Sequence, residues 1–276
     1  MTYHTSINGF PCADRGVGSP VLFIHGAACD HRIWNPHFDR LANSYRCIAP
    51  TLRWFGPWQW EQDKRTFGEQ THSDDLASLV EELGCGPVFV VGWSYGANVA
   101  LRLAVNRPDL VSGVAVYEPS STSLVSDRAT AEAHQICMRQ TFLPVTDTAA
   151  NGDVHKVLPA FIDAVGGDGT FERLPADFRQ ICLDNGPSLI PLLNSKHRID
   201  SVSANDLASL SLPVHVAWGG QSGPVWTIPS MCAAKLAIVR GHEISDADHI
   251  WPARNPTAFL AWLAGIIAPA PGADRR

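Results

Sequence analysis

The chain has 276 residues, 45% of them hydrophobic, with 21 basic and 27 acidic side chains and a formal net charge of −6. That length and apolarity suit one sizeable core, or one domain carrying a large insertion. There is no basic block, no apolar run of membrane-spanning length and no Cys-x-x-Cys pair, so nothing points to a nucleic-acid surface, a membrane span or a zinc or disulfide framework.

The opening Met1-Thr2-Tyr3-His4-Thr5 lacks the basic-then-apolar pattern of a secretory leader. Seven scattered cysteines read as small hydrophobes in a reducing cytoplasm. The first strong strand pattern is Val21-Leu22-Phe23-Ile24, followed by Tyr45-Arg46-Cys47-Ile48-Ala49. Ser73 to Leu83 reads as a helix capped by Ser73, with Asp74 and Asp75 in its first turn. Val88-Phe89-Val90-Val91 is the next strand. The helix after it runs from Tyr95 to Asn106 and stops before Pro108. Val114-Ala115-Val116-Tyr117 follows. These nearly continuous apolar runs suit strands buried on both faces, the signature of a parallel sheet with crossover helices.

After Tyr117 the rhythm breaks. From about Pro119 to Leu212 no strand pattern occurs. Amphipathic stretches run from Arg128 to Thr141, Val154 to Val165 and Pro175 to Leu183, with Gly166-Gly167-Asp168-Gly169 as a loop among them. Strands resume at Val214-His215-Val216-Ala217 and Leu236-Ala237-Ile238-Val239. The apolar tail from Phe259 to Ala268 reads as a last helix packed on the sheet.

Gly92-Trp93-Ser94-Tyr95-Gly96 fits G-x-S-x-G between a strand and a helix. In that context Ser94 is a candidate nucleophile on a sharp turn, and the two glycines supply the small neighbours the turn needs. The start of the helix points backbone N–H groups toward a developing oxyanion, with Tyr95 N–H as the expected donor. His25-Gly26-Ala27-Ala28 follows the first strong strand. His249-Ile250-Trp251-Pro252 and Asn255-Pro256 precede the last helix.

In these residues and their order the chain resembles the α/β-hydrolase family over nearly its whole length. The resemblance implies an α/β fold with a mostly parallel eight-stranded sheet flanked by helices and a helical cap inserted after the sixth strand. Residues 1–118 and 213–276 would form the core, and 119–212 the cap. It implies Ala27 as the second oxyanion donor, with His25 bracing that loop, and His249 as the base in preference to His242. It implies no cofactor and no metal.

The family most often places its acid after the strand that follows the cap. Here that segment is Gly219-Gly220-Gln221-Ser222-Gly223, and no Asp or Glu occurs from Leu207 to His242. Glu118 ends the strand before the cap, where certain relatives carry the acid, and it preserves the nucleophile–acid–base order. Glu118 is therefore the expected acid, ahead of Asp246 and Asp248 on the histidine's own loop. Trp34, Trp54, Trp93, Trp226 and Trp251 lie on loops near strand ends. Of these, Trp93, Trp54 and Trp251, with His31, are expected to contact an apolar or aromatic substrate.

The reading is a serine hydrolase of esters or lactones, with a small-molecule substrate as partner and self-association as a homodimer left open. Carbon–carbon bond hydrolysis is one alternative. Another is a cofactor-free dioxygenase, since Cys29-Asp30-His31-Arg32 resembles a segment of such enzymes. A hydrolase scaffold used only for ligand binding is a third.

Overall fold

The computed structural model describes residues 5–7, 9–57, 66–150, 154–194 and 201–267. Met1 to His4, read above for a leader, and Ala268, read as the end of the last helix, lie outside the described residues. The strands are β1 (Thr5–Ile7), β2 (Phe10–Arg15), β3 (Ser19–Ile24), β4 (Tyr45–Pro50), β5 (Val88–Trp93), β6 (Val111–Tyr117), β7 (Val214–Gly219) and β8 (Val239–Ile244). They form one sheet in the order β1-β2-β4-β3-β5-β6-β7-β8. β1 and β2 pair antiparallel, as do β2 and β4, and every pair from β4 across to β8 is parallel.

Helices α1 (Asn35–Leu41), α2 (Glu69–Leu83) and α3 (Tyr95–Asn106) make the crossovers before β6. Between β6 and β7 come α4 (Arg128–Ala149), α5 (Val154–Gly166), α6 (Thr170–Arg173), α7 (Ala176–Asn185), α8 (Leu189–Asn194) and α9 (Ala204–Ala208). Among the described residues from 118 to 213, none is in a strand. After β7 and β8 come α10 (Pro224–Ala233), α11 (Trp251–Arg254) and α12 (Pro256–Ala264). Among the described residues no helix is long and apolar enough to cross a membrane.

The central strands are covered on both faces, which explains their unbroken apolar runs. Val21 to Ile24 of β3 and Val114 to Tyr117 of β6 are wholly buried. α3 lies against them with most of its residues buried, since its small side chains let it approach the sheet closely.

Two elements depart from the sequence reading. α2 begins at Glu69, not Ser73. Its first turn turns His72 inward and Ser73 is buried within it, so a polar inner face hid the helical period. The last strand is β8, Val239–Ile244, whereas Leu236 to Ile238 form the turn before it. β8 is the edge of the sheet, with Arg240, Gly241 and Glu243 exposed, so it lacks the apolar run of a central strand.

Candidate active site

Ser94 stands between β5 and α3 at φ 56° and ψ −119°, a left-handed conformation that costs a non-glycine residue about 1–3 kcal/mol. The turn is tight enough to dictate its neighbours. A Cβ on Gly92 would meet Gly96 O at 2.5 Å, and one on Gly96 would meet His25 O at 2.3 Å. Ser94 N donates to Tyr117 O at 2.9 Å, tying the turn to the end of β6.

The next residue, Glu118, is also left-handed at φ 52° and is fully buried. Its own N–H donates to Ala217 O at 2.9 Å. Its carboxylate takes two hydrogen bonds: Gly219 N–H donates to Oε1 at 2.7 Å, and His249 Nδ1–H donates to Oε2 at 2.6 Å. A buried carboxylate needs such partners. The β7 loop, which has no acid of its own, thus holds Glu118 through its backbone. Because a carboxylate only accepts, His249 carries its proton on Nδ1, and Nε2 is left to accept from the Ser94 hydroxyl at 3.0 Å. Asp248 is engaged elsewhere, by Ile250 N–H at 3.1 Å and by Arg254, and Asp246 is exposed. His242 lies within β8, its Nε2 3.0 Å from His215 Nδ1.

The loop after β3 passes directly beside this line. A Cβ on Gly26 would meet Ser94 Cβ at 3.4 Å. The His25 ring braces the loop: Nδ1–H donates to Gly26 O at 2.8 Å, and Nε2 accepts from Leu52 N–H at 3.0 Å. Burial pushes the His25 pKa down to about 4, in keeping with that neutral tautomer. The Tyr95 hydroxyl is anchored inward and donates to His72 Nδ1 at 2.7 Å, while His72 Nε2–H donates to Arg53 O at 3.1 Å. The Tyr95 backbone is thereby fixed at the start of α3.

Ser94 opens onto a cavity of about 570 Å³. Its lining includes the apolar Phe142, Phe161, Leu192 and Trp226 and the polar Asn98, Ser120, Gln135 and Arg139. A second niche of about 20 Å³ also touches Ser94 and is lined by Trp93, Val165, Phe178 and His249. Ala27 lines both.

Of the expected substrate contacts, only Trp93 lines either space. His31 is buried, with Nδ1 bonded to Thr51 Oγ1 at 2.6 Å, and lines neither space. Trp54 packs edge-on against His72, and Trp251 against Tyr117 and Phe259 in the core. These three point into packing that sequence spacing does not reveal. Conversely Trp226, read only as one of several loop tryptophans, lines the cavity and lies on His249. Among the described residues no cluster of three or more His, Cys, Asp or Glu is placed to hold a metal ion.

A parallel sheet with a serine at this strand-to-helix turn defines the α/β-hydrolase class. The sequence profile of the alpha/beta hydrolase family matches residues 21–262, and the chain belongs to that family. An esterase of Mycobacterium tuberculosis is 31% identical over 270 residues, covering 91% of this chain and 84% of that protein. A putative non-heme bromoperoxidase of the same organism is 42% identical over 101 residues, a match that spans only 37% of that protein's length and 36% of this chain. The solved enol-lactonase from Burkholderia xenovorans shares the fold with a TM-score of 0.74 at 16% identity, over 95% of this chain and 98% of that one. A thermophilic esterase from Thermogutta terrifontis does so with a TM-score of 0.69 at 24% identity, over 93% and 92%.

Proposed function

We propose that the chain is a serine hydrolase that cleaves esters or lactones of apolar or aromatic small molecules. The observation that carries this reading is the hydrogen-bonded line from Ser94 through His249 to Glu118, at 3.0 and 2.6 Å, facing a cavity. His249 Nε2 takes the Ser94 proton as Oγ attacks the carbonyl carbon. Glu118 holds the ring and stabilises the imidazolium. The N–H groups of Ala27 and Tyr95 receive the oxyanion. Collapse breaks the bond to the leaving oxygen, which takes the proton back from His249. Water, activated by the same histidine, then releases the acid and restores Ser94.

Residues 119–212 act as the cap: α4, α5 and α8 supply Phe142, Phe161 and Leu192 to the cavity wall. Opening of an epoxide or alkyl halide by carboxylate attack is disfavoured, because the elbow carries serine. Seven free thiols favour a reducing, cytoplasmic setting. The test is a fluorophosphonate probe combined with a panel of chromogenic esters and lactones. Labelling at Ser94 with turnover of at least one class supports the reading; an unlabelled, inert chain that is folded sinks it.

A further inference from the structure

Hydrogen bonds grip the His249 ring by its edges, while an indole covers one of its faces. Trp226 lies flat on one face, with ring centroids 3.7 Å apart and planes 13° from parallel. Trp93 leans in at 6.1 Å and 49°, and its Nε1–H donates to His249 O at 2.8 Å. Trp226 is only 5% exposed, so the stacked face is almost without water.

The stack follows from where the acid is. Since Glu118 comes from β6, the β7 loop need present only the Gly219 N–H to it. α10 then starts at Pro224 and brings Trp226 onto the ring within its first turn. Phe142 of α4 meets the indole edge-on at 6.1 Å and 84°.

We propose that Trp226 is a positioning residue for the base, its π face stabilising the imidazolium that His249 becomes while it holds the Ser94 proton. The proposal rests on the hydrolase reading above. With a neutral ring, the stack supplies dispersion alone. Once the ring is protonated, positive charge lies over the electron-rich indole face where little water competes. The interaction is therefore stronger in the transition states than in the resting enzyme, and it acts on turnover more than on binding. Glu118 stabilises the same cation within the ring plane and Trp226 from above it, so the two contributions are separable. The flat indole also resists rotation of the imidazole away from Ser94.

A large residue that merely fills the cavity wall would give the same packing without the electronic effect. The test therefore holds shape and changes the ring. Trp226→Phe is compared with Trp226→pentafluorophenylalanine, which has nearly the same outline but a reversed quadrupole, using kcat and KM for a chromogenic acetate. Whatever Trp226→Phe itself loses to the smaller ring, the fluorinated variant should fall about tenfold below Trp226→Phe in kcat, with similar KM in the two. Urea unfolding of both variants checks that they are equally folded. Should either fail to fold, Trp226→Leu replaces the pair: the upfield ring-current shift of the His249 ring protons disappears and kcat falls about tenfold or more. Equal kcat in the two aromatic variants, or wild-type kcat in the leucine variant with the ring-current shift lost, overturns the proposal while leaving the hydrolase reading intact. A wild-type chain that is neither labelled by fluorophosphonate nor active on esters and lactones overturns both.

Discussion

Ser94 and Glu118 stand at the carboxyl ends of strands and His249 in the loop after β8, and each is tied by a hydrogen bond to a neighbouring strand or its end. Ser94 is bound to β6, Glu118 to β7 through two separate N–H contacts, and His249 to β5 through the Trp93 indole. The segment between β6 and β7 is held differently, and unevenly. α7 docks through charge and polar bonds. The wholly buried Asp30 accepts from Arg32 and from Asn185 Nδ2, and Arg32 also pairs with Asp184. Burial raises the Asp30 pKa, but the bonds from Arg32 and Asn185 outweigh it and the net shift is downward. α4 docks through apolar side chains, Phe142 and Val145, with His134 bonded to Val225 O. The three candidate groups thus sit at or beyond strand ends, whereas the segment over them is joined by directional polar bonds beside the buried Phe178 at α7 and by a larger share of non-directional apolar packing at α4.

Changes among the three candidate groups should have the largest effects. Ser94→Ala should lower kcat on any ester substrate by about a million-fold, because the bond-forming atom is gone, while fold and melting temperature persist. Retained turnover or probe labelling in that variant would mean that the nucleophile lies elsewhere. Glu118→Gln keeps the shape but offers its amide N–H to His249 Nδ1, favouring the wrong tautomer. The loss expected is between about a hundred-fold and ten-thousand-fold in kcat with little change in KM. Asp246→Asn and Asp248→Asn run beside it should stay near wild type. A collapse of either, with Glu118→Gln unaffected, removes Glu118 from its role.

Breaking the α7 anchor should touch stability before chemistry. Asp30→Ala removes the buried acceptor that Arg32 and Asn185 share, leaving Arg32 with Asp184 and Asn185 with Ile181 O, and should cost about 3 kcal/mol in urea unfolding. The variant that still folds should react with fluorophosphonate at close to the wild-type rate, since none of the three reacting residues touches Asp30. If labelling instead falls with stability, the three groups and the α7 anchor are one unit and the contrast drawn above is wrong.

Legibility in the sequence followed the same division. Ser94 could be found because an elbow needs glycine on both sides and an apolar strand before it, all within nine residues of chain. Glu118, which the structure places against His249, was expected from the family resemblance: the usual acid loop lies in the carboxylate-free run between Leu207 and His242, and certain relatives carry the acid at the end of the strand before the cap. The places that misled were those where distant contacts override local pattern. A polar inner face disguised the start of α2, and an exposed edge disguised β8. His31 looked available but is turned onto Thr51. The Trp226 stack joins residues 23 positions apart through the placement of α10, a relation with no period or motif to announce it.

The smallest expected effect tests the outer face of α4. Phe142 and Leu143 are adjacent, yet the helix turns the first inward at 8% exposure and the second outward at 57%. Ile136, one heptad before Leu143, is 46% exposed on the same side. Phe142→Ala should cost about 3 kcal/mol, since it empties packing against Trp226 and Phe161. Leu143→Ser should change stability by less than about 0.5 kcal/mol and leave turnover unchanged, as expected where a side chain meets only water. The measurement is thermal unfolding of Leu143→Ser and wild type across a wide range of protein concentration. A wild-type midpoint that rises with concentration, and a variant midpoint that does not, would place a second copy of the chain over this face. The outward side of α4 would then be an interface, and the predominance of apolar packing at α4 would describe the monomer alone.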